Sequence, residues 1–253
     1  MKLFCRQMGN GQPLIILHGL FGMSDNWQSL AKQFADYFEV HLLDLRNHGR
    51  SPHSTNFSHF HMAEDLLTYI DQHQLSNAII LGHSLGGKVA MKFAVQHSSK
   101  IDKLVVVDIS PRHYPVHHDT IIQGLESLDF TSIVTRRQAD EELAKYVHQA
   151  DVRQFLLKSI YWKDKKKLAL RFNLSSISEN ISNVGESLDQ EATFDKPTLF
   201  LKGQNSDYIT DDDEELIFEH FPNAKIETIS DCGHWLHAEK PKQFFEIVCR
   251  FCI

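Results

Sequence analysis

The sequence predicts an α/β protein, a mostly parallel sheet flanked by helices with a helical segment inserted at residues 112–195. Strand-like and helix-like stretches alternate through the first 108 residues, and the alternation resumes at Pro197. Between them lies helical periodicity with polar stretches and no convincing strand. Repeated strand–helix alternation implies crossover connections, hence parallel pairing with helices on both faces. A length of 253 residues, 42% hydrophobic and 23% charged, suits one such domain over 1–253 with a sizeable core.

Residues 2–8 and 13–18 read as strands, the second an apolar run ending in a glycine-containing turn. Ser24 is placed as N-cap of a helix reaching residue 37, with Trp27, Leu30, Ala31 and Phe34 along one face. Residues 39–44 form the next strand and 62–73 an amphipathic helix. A buried-type strand at 78–82, a helix at 85–96 and a strand at 103–108 complete the first half. After the insertion come a strand at 197–201, a helix at 213–221, a last strand at 225–229 and a last helix at 241–253. The insertion is expected to cover the carboxyl edge of the sheet.

Composition excludes several function classes. With 26 Lys+Arg against 33 Asp+Glu the net charge is −7, which argues against a basic nucleic-acid groove. The apolar runs at 14–17, 79–81 and 104–107 fall far below the roughly 20 residues of a membrane span. Arg6, Gln7 and Asn10 interrupt any signal-peptide core. The four cysteines, Cys5, Cys232, Cys249 and Cys252, do not form a disulfide framework. The C-x-x-C of the last two reads as small residues on one helix face. A cytoplasmic protein is the expectation.

The chemistry centres on Gly82-His83-Ser84-Leu85-Gly86, a G-x-S-x-G between a buried strand and a helix. That is where a nucleophile elbow must lie. A side chain thrust from so tight a turn strains its backbone, and neighbours two residues away must be glycine to avoid collision. Helix capping by Ser84 would explain neither Gly82 nor Gly86.

A serine hydroxyl needs a base. His234, in Asp231-Cys232-Gly233-His234-Trp235 after the last strand, is the best placed of 16 histidines. The acid that orients it must follow Ser84 and precede His234. Asp108, ending one strand, and Asp207, beyond the next, both satisfy that order. The residues alone leave the choice open. Two backbone amides should hold the oxyanion: Leu85 directly after the serine, and Leu20 in His18-Gly19-Leu20-Phe21-Gly22, with Phe21 as the alternative donor.

These motifs together resemble the α/β-hydrolases, and among them the YbfF-type esterases, over nearly the whole chain. The discriminating marks are Arg46-Asn47-His48-Gly49 and Asp108-Ile109-Ser110-Pro111, beside the less specific elbow and Gly233-His234-Trp235. The resemblance implies that Asp108 is the acid and that Ser206 lies close to the triad. It also implies hydrolysis of short-chain esters, and of acyl-CoA thioesters, without a cofactor.

The expected function is therefore a serine carboxylic-ester hydrolase whose partner is a small acyl ester or thioester. Alternatives on the same triad are a C–C bond hydrolase or lyase, a cofactor-free haloperoxidase, or a non-catalytic small-molecule receptor. Lys163-Asp164-Lys165-Lys166-Lys167 could hold CoA phosphates, although a solvated helix face is the simpler reading. His113, His117 and His118 lack a completing motif such as H-E-x-x-H, so no metal is predicted. Arg46 and His48 are expected to brace the rim of the site.

Overall fold

The computed structural model describes residues 1–115, 118–165 and 167–253. The chain opens with β1 (Cys5–Met8) and β2 (Pro13–Leu17), then α1 (Gln28–Phe34), β3 (Glu39–Leu43), α2 (His59–Gln72), β4 (Ala78–His83), α3 (Leu85–Gln96) and β5 (Ile101–Val107). The inserted segment supplies α4 (Asp119–Glu126), α5 (Arg136–Leu143), α6 (Ala150–Leu157), β6 (Ile160–Trp162), β7 (Leu168–Leu170) and α7 (Leu174–Glu179). β8 (Thr198–Gly203), α8 (Glu214–His220), β9 (Ala224–Ile229), α9 (Leu236–Glu239) and α10 (Pro241–Cys252) end the chain. Seven strands form one sheet in the order β1-β3-β2-β4-β5-β8-β9, with only β1 antiparallel to its neighbour.

Side chains alternate between two hydrophobic layers, one on each face of the sheet. Leu14 and Ile16 of β2, with Ile79 and Leu81 of β4, meet Trp27, Phe34, Phe244 and Val248. Ile15, Leu17 and Ile80 point the other way, towards Leu66, Ile70, Val89 and Phe93. All six positions of β4 are buried. A strand covered on both faces needs this continuous apolar run, which is why its sequence shows no period of two.

Local details depart from the sequence expectation where short-range signals compete. Ser24 does not cap α1. It begins a 3-10 turn, Ser24–Trp27, and its amide donates to Asp44 Oδ1 at 2.6 Å. α2 starts earlier than expected because Ser58 caps it, accepting from the His61 amide at 3.3 Å. The insertion, expected to lack strands, contains the β6–β7 hairpin, and its strands of three residues are too short to show a period. Residues 163–165 and 167 belong to that hairpin's connection, where the Lys163 amide donates to the Lys167 carbonyl at 2.8 Å. They do not form a helix face, and Lys166 lies outside the described residues. Cys249 and Cys252 share α10 as free thiols, pushed up to about 11 and about 12 by burial. Among the described residues no helix is long and apolar enough to cross a membrane.

The insertion is tied back to the loops that follow β2 and β3. The Asn173 amide donates to the Asn47 carbonyl at 2.8 Å, Asn183 Nδ2 to the Phe57 carbonyl at 2.8 Å, and the Phe172 ring sits 5.1 Å from that of Phe21.

The elbow glycines are set by contact. A Cβ on Gly86 would lie 2.4 Å from the Leu17 carbonyl oxygen and 2.7 Å from that of His18, both backbone atoms at the end of a central strand. Gly86→Ala is expected to cost about 1–3 kcal/mol through overpacking, seen as a fall in Tm of several degrees. Gly233→Ala, whose Cβ would meet nothing nearer than Glu239 Oε1 at 3.6 Å, should leave Tm close to that of the parent. Equal Tm values for the two variants would contradict this account.

Candidate active site

Ser84 stands between β4 and α3 with φ 53° and ψ −118°, a conformation L-residues rarely adopt. Its side chain does not cap α3. Its amide donates to the Val107 carbonyl at 3.0 Å, so the turn is locked to β5. A Cβ on Gly82 would sit 2.2 Å from the Gly86 carbonyl oxygen, which shows how closely the chain folds back on itself.

Asp108 follows β5, also with positive φ (52°), and is fully buried. Its Oδ2 accepts from His234 Nδ1 at 2.8 Å and from the Ser206 hydroxyl, while Oδ1 accepts from the Gly203 amide at 3.0 Å. Three donors on one buried carboxylate offset its loss of hydration. Asp207, the other candidate acid, is exposed, and its carbonyl accepts from Arg112. The structure thus brings Ser84, Asp108, His234 and Ser206 to one place, and leaves the Asp207 side chain at the surface.

With Nδ1–H given to Asp108, the His234 ring keeps Nε2 as the nitrogen able to take a proton. His234 and Ser84 line one cleft of about 210 Å³. Tyr208 stacks on the imidazole with ring centroids 4.0 Å apart. From behind, His83 Nε2 donates to the His234 carbonyl at 2.8 Å, so the elbow also fixes the loop carrying the imidazole. Sequence reasoning missed these two supports, because Tyr208 belongs to no motif and His83 fills an unspecified position of G-x-S-x-G.

The loop after β2 lies against the serine. A Cβ on Gly19 would be 2.9 Å from His83 Nδ1 and 3.3 Å from Ser84 Cβ. The Phe21 amide already donates to His48 Nε2 at 3.2 Å. Among the described residues the Leu20 amide donates to no protein acceptor. The Leu85 amide is the first N–H of α3, which has no intrahelical acceptor and lies at the positive end of the helix dipole. Of the expected donors, Leu20 and Leu85 keep free amides, and the alternative, Phe21, does not.

Two buried imidazoles shape that loop. His18 Nδ1–H donates to the Gly19 carbonyl at 2.8 Å while its Nε2 accepts from the Leu45 amide at 3.0 Å. His48 Nδ1–H donates to the Arg46 carbonyl at 2.9 Å. Arg46 in turn holds Asp65 at 2.7 Å and the carbonyls of Asn56 and His61 at 2.8 and 3.0 Å. His48 thus supports Phe21 at the edge of the cleft, whereas the partners of Arg46 line neither cavity that opens on Ser84.

Of the remaining candidates, one borders the site. Residues 163–165 and 167 line neither cavity that opens on Ser84. His118 borders both, His113 does not, and His117 is outside the described residues.

Residues 12–241 match the family described as the alpha/beta hydrolase fold. The chain belongs to that family. A putative esterase/lipase of Haemophilus influenzae is 38% identical to this α/β-hydrolase, covering 97% of this chain and 85% of its own. The esterase YbfF of Escherichia coli is 33% identical, covering 96% and 93%. The sn-1-specific diacylglycerol lipase ABHD11 of Danio rerio is 38% identical, covering 96% and 79%. A solved structure described as a marine microorganism esterase is 44% identical, with a TM-score of 0.96 over 99% of both chains.

Burial sets the protonation of the surrounding histidines. It lowers His18 to about 4, and His48 and His237 to about 3, while His83 falls well below its ordinary value. Unfolded, each would take a proton near 6.5; folded, only some units lower. Below pH 6.5 the unfolded state therefore binds more protons, and stability falls with pH. At pH 5 His18, His48 and His237 each cost on the order of 2 kcal/mol. The urea midpoint should be nearly level from pH 8 to 7 and fall steeply towards pH 5, and His48→Asn should flatten that slope. A midpoint that rises on acidification from pH 7 to 5 would refute the assignment of these rings as buried and neutral.

Proposed function

We propose that this α/β-hydrolase is a serine carboxylic-ester hydrolase working through an acyl-enzyme. The observation that carries the reading is the Asp108–His234 hydrogen bond beside a serine held at φ 53° in the same cleft. The esterase and lipase names of its relatives point the same way.

Ser84 Oγ attacks the acyl carbonyl carbon while His234 Nε2 takes the hydroxyl proton. Asp108 holds the imidazole in the tautomer that leaves Nε2 free, and stabilises the imidazolium once formed. The carbonyl oxygen gains negative charge beside the Leu20 and Leu85 amides, each worth about 2.7–4 kcal/mol by comparison with other oxyanion holes. The C–O bond to the alcohol breaks, and His234 returns the proton to the departing oxygen. Water, deprotonated by His234, then attacks the acyl carbon, and Ser84 Oγ leaves with that proton. The cycle uses side chains, backbone amides and water. The segment 112–195 acts as a cap, walling the cleft with Ile121 from α4 and Val152, Phe155 and Leu156 from α6. The same steps cleave a thioester, so a substrate panel should include an acyl-CoA.

Ser84→Ala is expected to abolish turnover of aryl esters. Asp108→Asn should lower kcat by about 10⁴-fold, because an amide cannot hold the required tautomer. Asp207→Asn should leave kcat within about twofold, in keeping with a surface substitution. Steady-state kinetics on an aryl acetate checks all three, and a large loss in Asp207→Asn with little in Asp108→Asn would reverse the acid assignment.

A further inference from the structure

Two cavities open on Ser84, and they reach different parts of the proposed machinery. The larger, about 210 Å³, runs past His234 between Ile121, Val152, Phe155, Leu156 and Trp235. The smaller, about 30 Å³, runs past Leu85 between Lys88, Tyr114, Ile181, Val184 and Gly185. Leu20, Ser84, His118 and Tyr208 border both, so the two meet over the serine. His234 borders only the larger.

This asymmetry assigns the two halves of a substrate, given the ester hydrolysis proposed above. A carbonyl carbon bonded to Ser84 Oγ has three other substituents. Its oxygen points to the Leu20 and Leu85 amides. The leaving oxygen must lie within hydrogen-bond reach of His234 Nε2, or it departs unprotonated. The acyl tail takes the remaining direction. We infer that the acyl tail occupies the small cavity beside α3 and the alcohol occupies the large cleft under α4 and α6. The substrate class is an ester of a short acid with a bulkier apolar alcohol. The small cavity has room for roughly two water-sized groups, which suits an acyl chain of about two to four carbons.

Hydrogen bonds at its C-terminal end fix the wall that limits the tail. Ile181 and Val184 lie on a 3-10 turn, Ile181–Gly185. The Gly185 carbonyl accepts from the Tyr114 amide at 2.8 Å, and a Cβ on Gly185 would lie 2.0 Å from the Tyr114 carbonyl oxygen. Lys88, one helical turn beyond Ser84, donates from Nζ to the Glu186 carbonyl at 3.0 Å and to the Arg112 carbonyl. The buried Lys88 amine thus ties Arg112 and Glu186 of the inserted segment to α3. A wall so tied yields little to a longer chain.

The test uses two ester series on the full-length protein, one varying the acid (hexyl acetate, butyrate and octanoate) and one the alcohol (methyl, hexyl and benzyl acetate). The parent should lose about tenfold or more in kcat/KM from butyrate to octanoate, since apolar pockets discriminate by about that much per methylene that does not fit. Val184→Ala, or Ile181→Ala as the independent variant, should raise the octanoate-to-acetate ratio about tenfold and leave the benzyl-to-methyl ratio unchanged. Phe155→Ala should lower the benzyl-to-methyl ratio and leave the acyl ratio unchanged. An acyl ratio that moves with Phe155→Ala and with neither wall variant overturns the assignment. Equal kcat/KM for butyrate and octanoate in the parent overturns it too. Turnover retained in Ser84→Ala overturns instead the ester-hydrolase reading on which it rests.

Discussion

The backbone at Ser84 holds a conformation that costs an L-residue of order 1–3 kcal/mol, and the packing around it permits no other. Gly82 folds against Gly86, Gly86 against the ends of β2, and the Ser84 amide is bound to β5. Each contact uses a parallel strand at the centre of the sheet, the part of the molecule buried on both faces. Strain of this kind persists only where the surroundings over-determine it. Here it lifts one hydroxyl clear of its own helix and into a cleft.

The electrostatic arrangement follows from that fixed point. Asp108 emerges from β5 next to the elbow, and three donors hold its two oxygens. The loop bearing His234 is pinned by His83, the residue before the serine, so Ser84 and His234 share one rigid unit. Around them sit imidazoles that burial keeps neutral. A neutral ring can donate from one nitrogen and accept at the other, which His18 does in holding the loop after β2.

Much of this was legible in the sequence because it rests on residue types with few substitutes. The parallel sheet flanked by helices needed only the alternation of apolar runs with helical periods. Gly82, Ser84 and Gly86 together specify the elbow, and Leu85 follows from position alone. The acid was harder, since Asp108 and Asp207 both end strands in the required order, and only the resemblance favoured Asp108. What separates them is tertiary. Asp108 has the Gly203 amide and the Ser206 hydroxyl to satisfy it when buried, whereas Asp207 faces water. The β6–β7 hairpin and the capping by Ser58 escaped notice because each is a local event of a few residues. The choice of Leu20 over Phe21 depends on His48, 27 residues further along, accepting the Phe21 amide. No spacing rule encodes such a contact.

The central claim is that Ser84 Oγ is the atom that becomes acylated, and that His234 activates it. Labelling with a fluorophosphonate, followed by digestion and mass mapping, reads this most directly. The account expects a single adduct, on the peptide containing Ser84, whose rate of formation collapses in His234→Ala. An adduct on another serine, or undiminished labelling of Ser84 in His234→Ala, would contradict it.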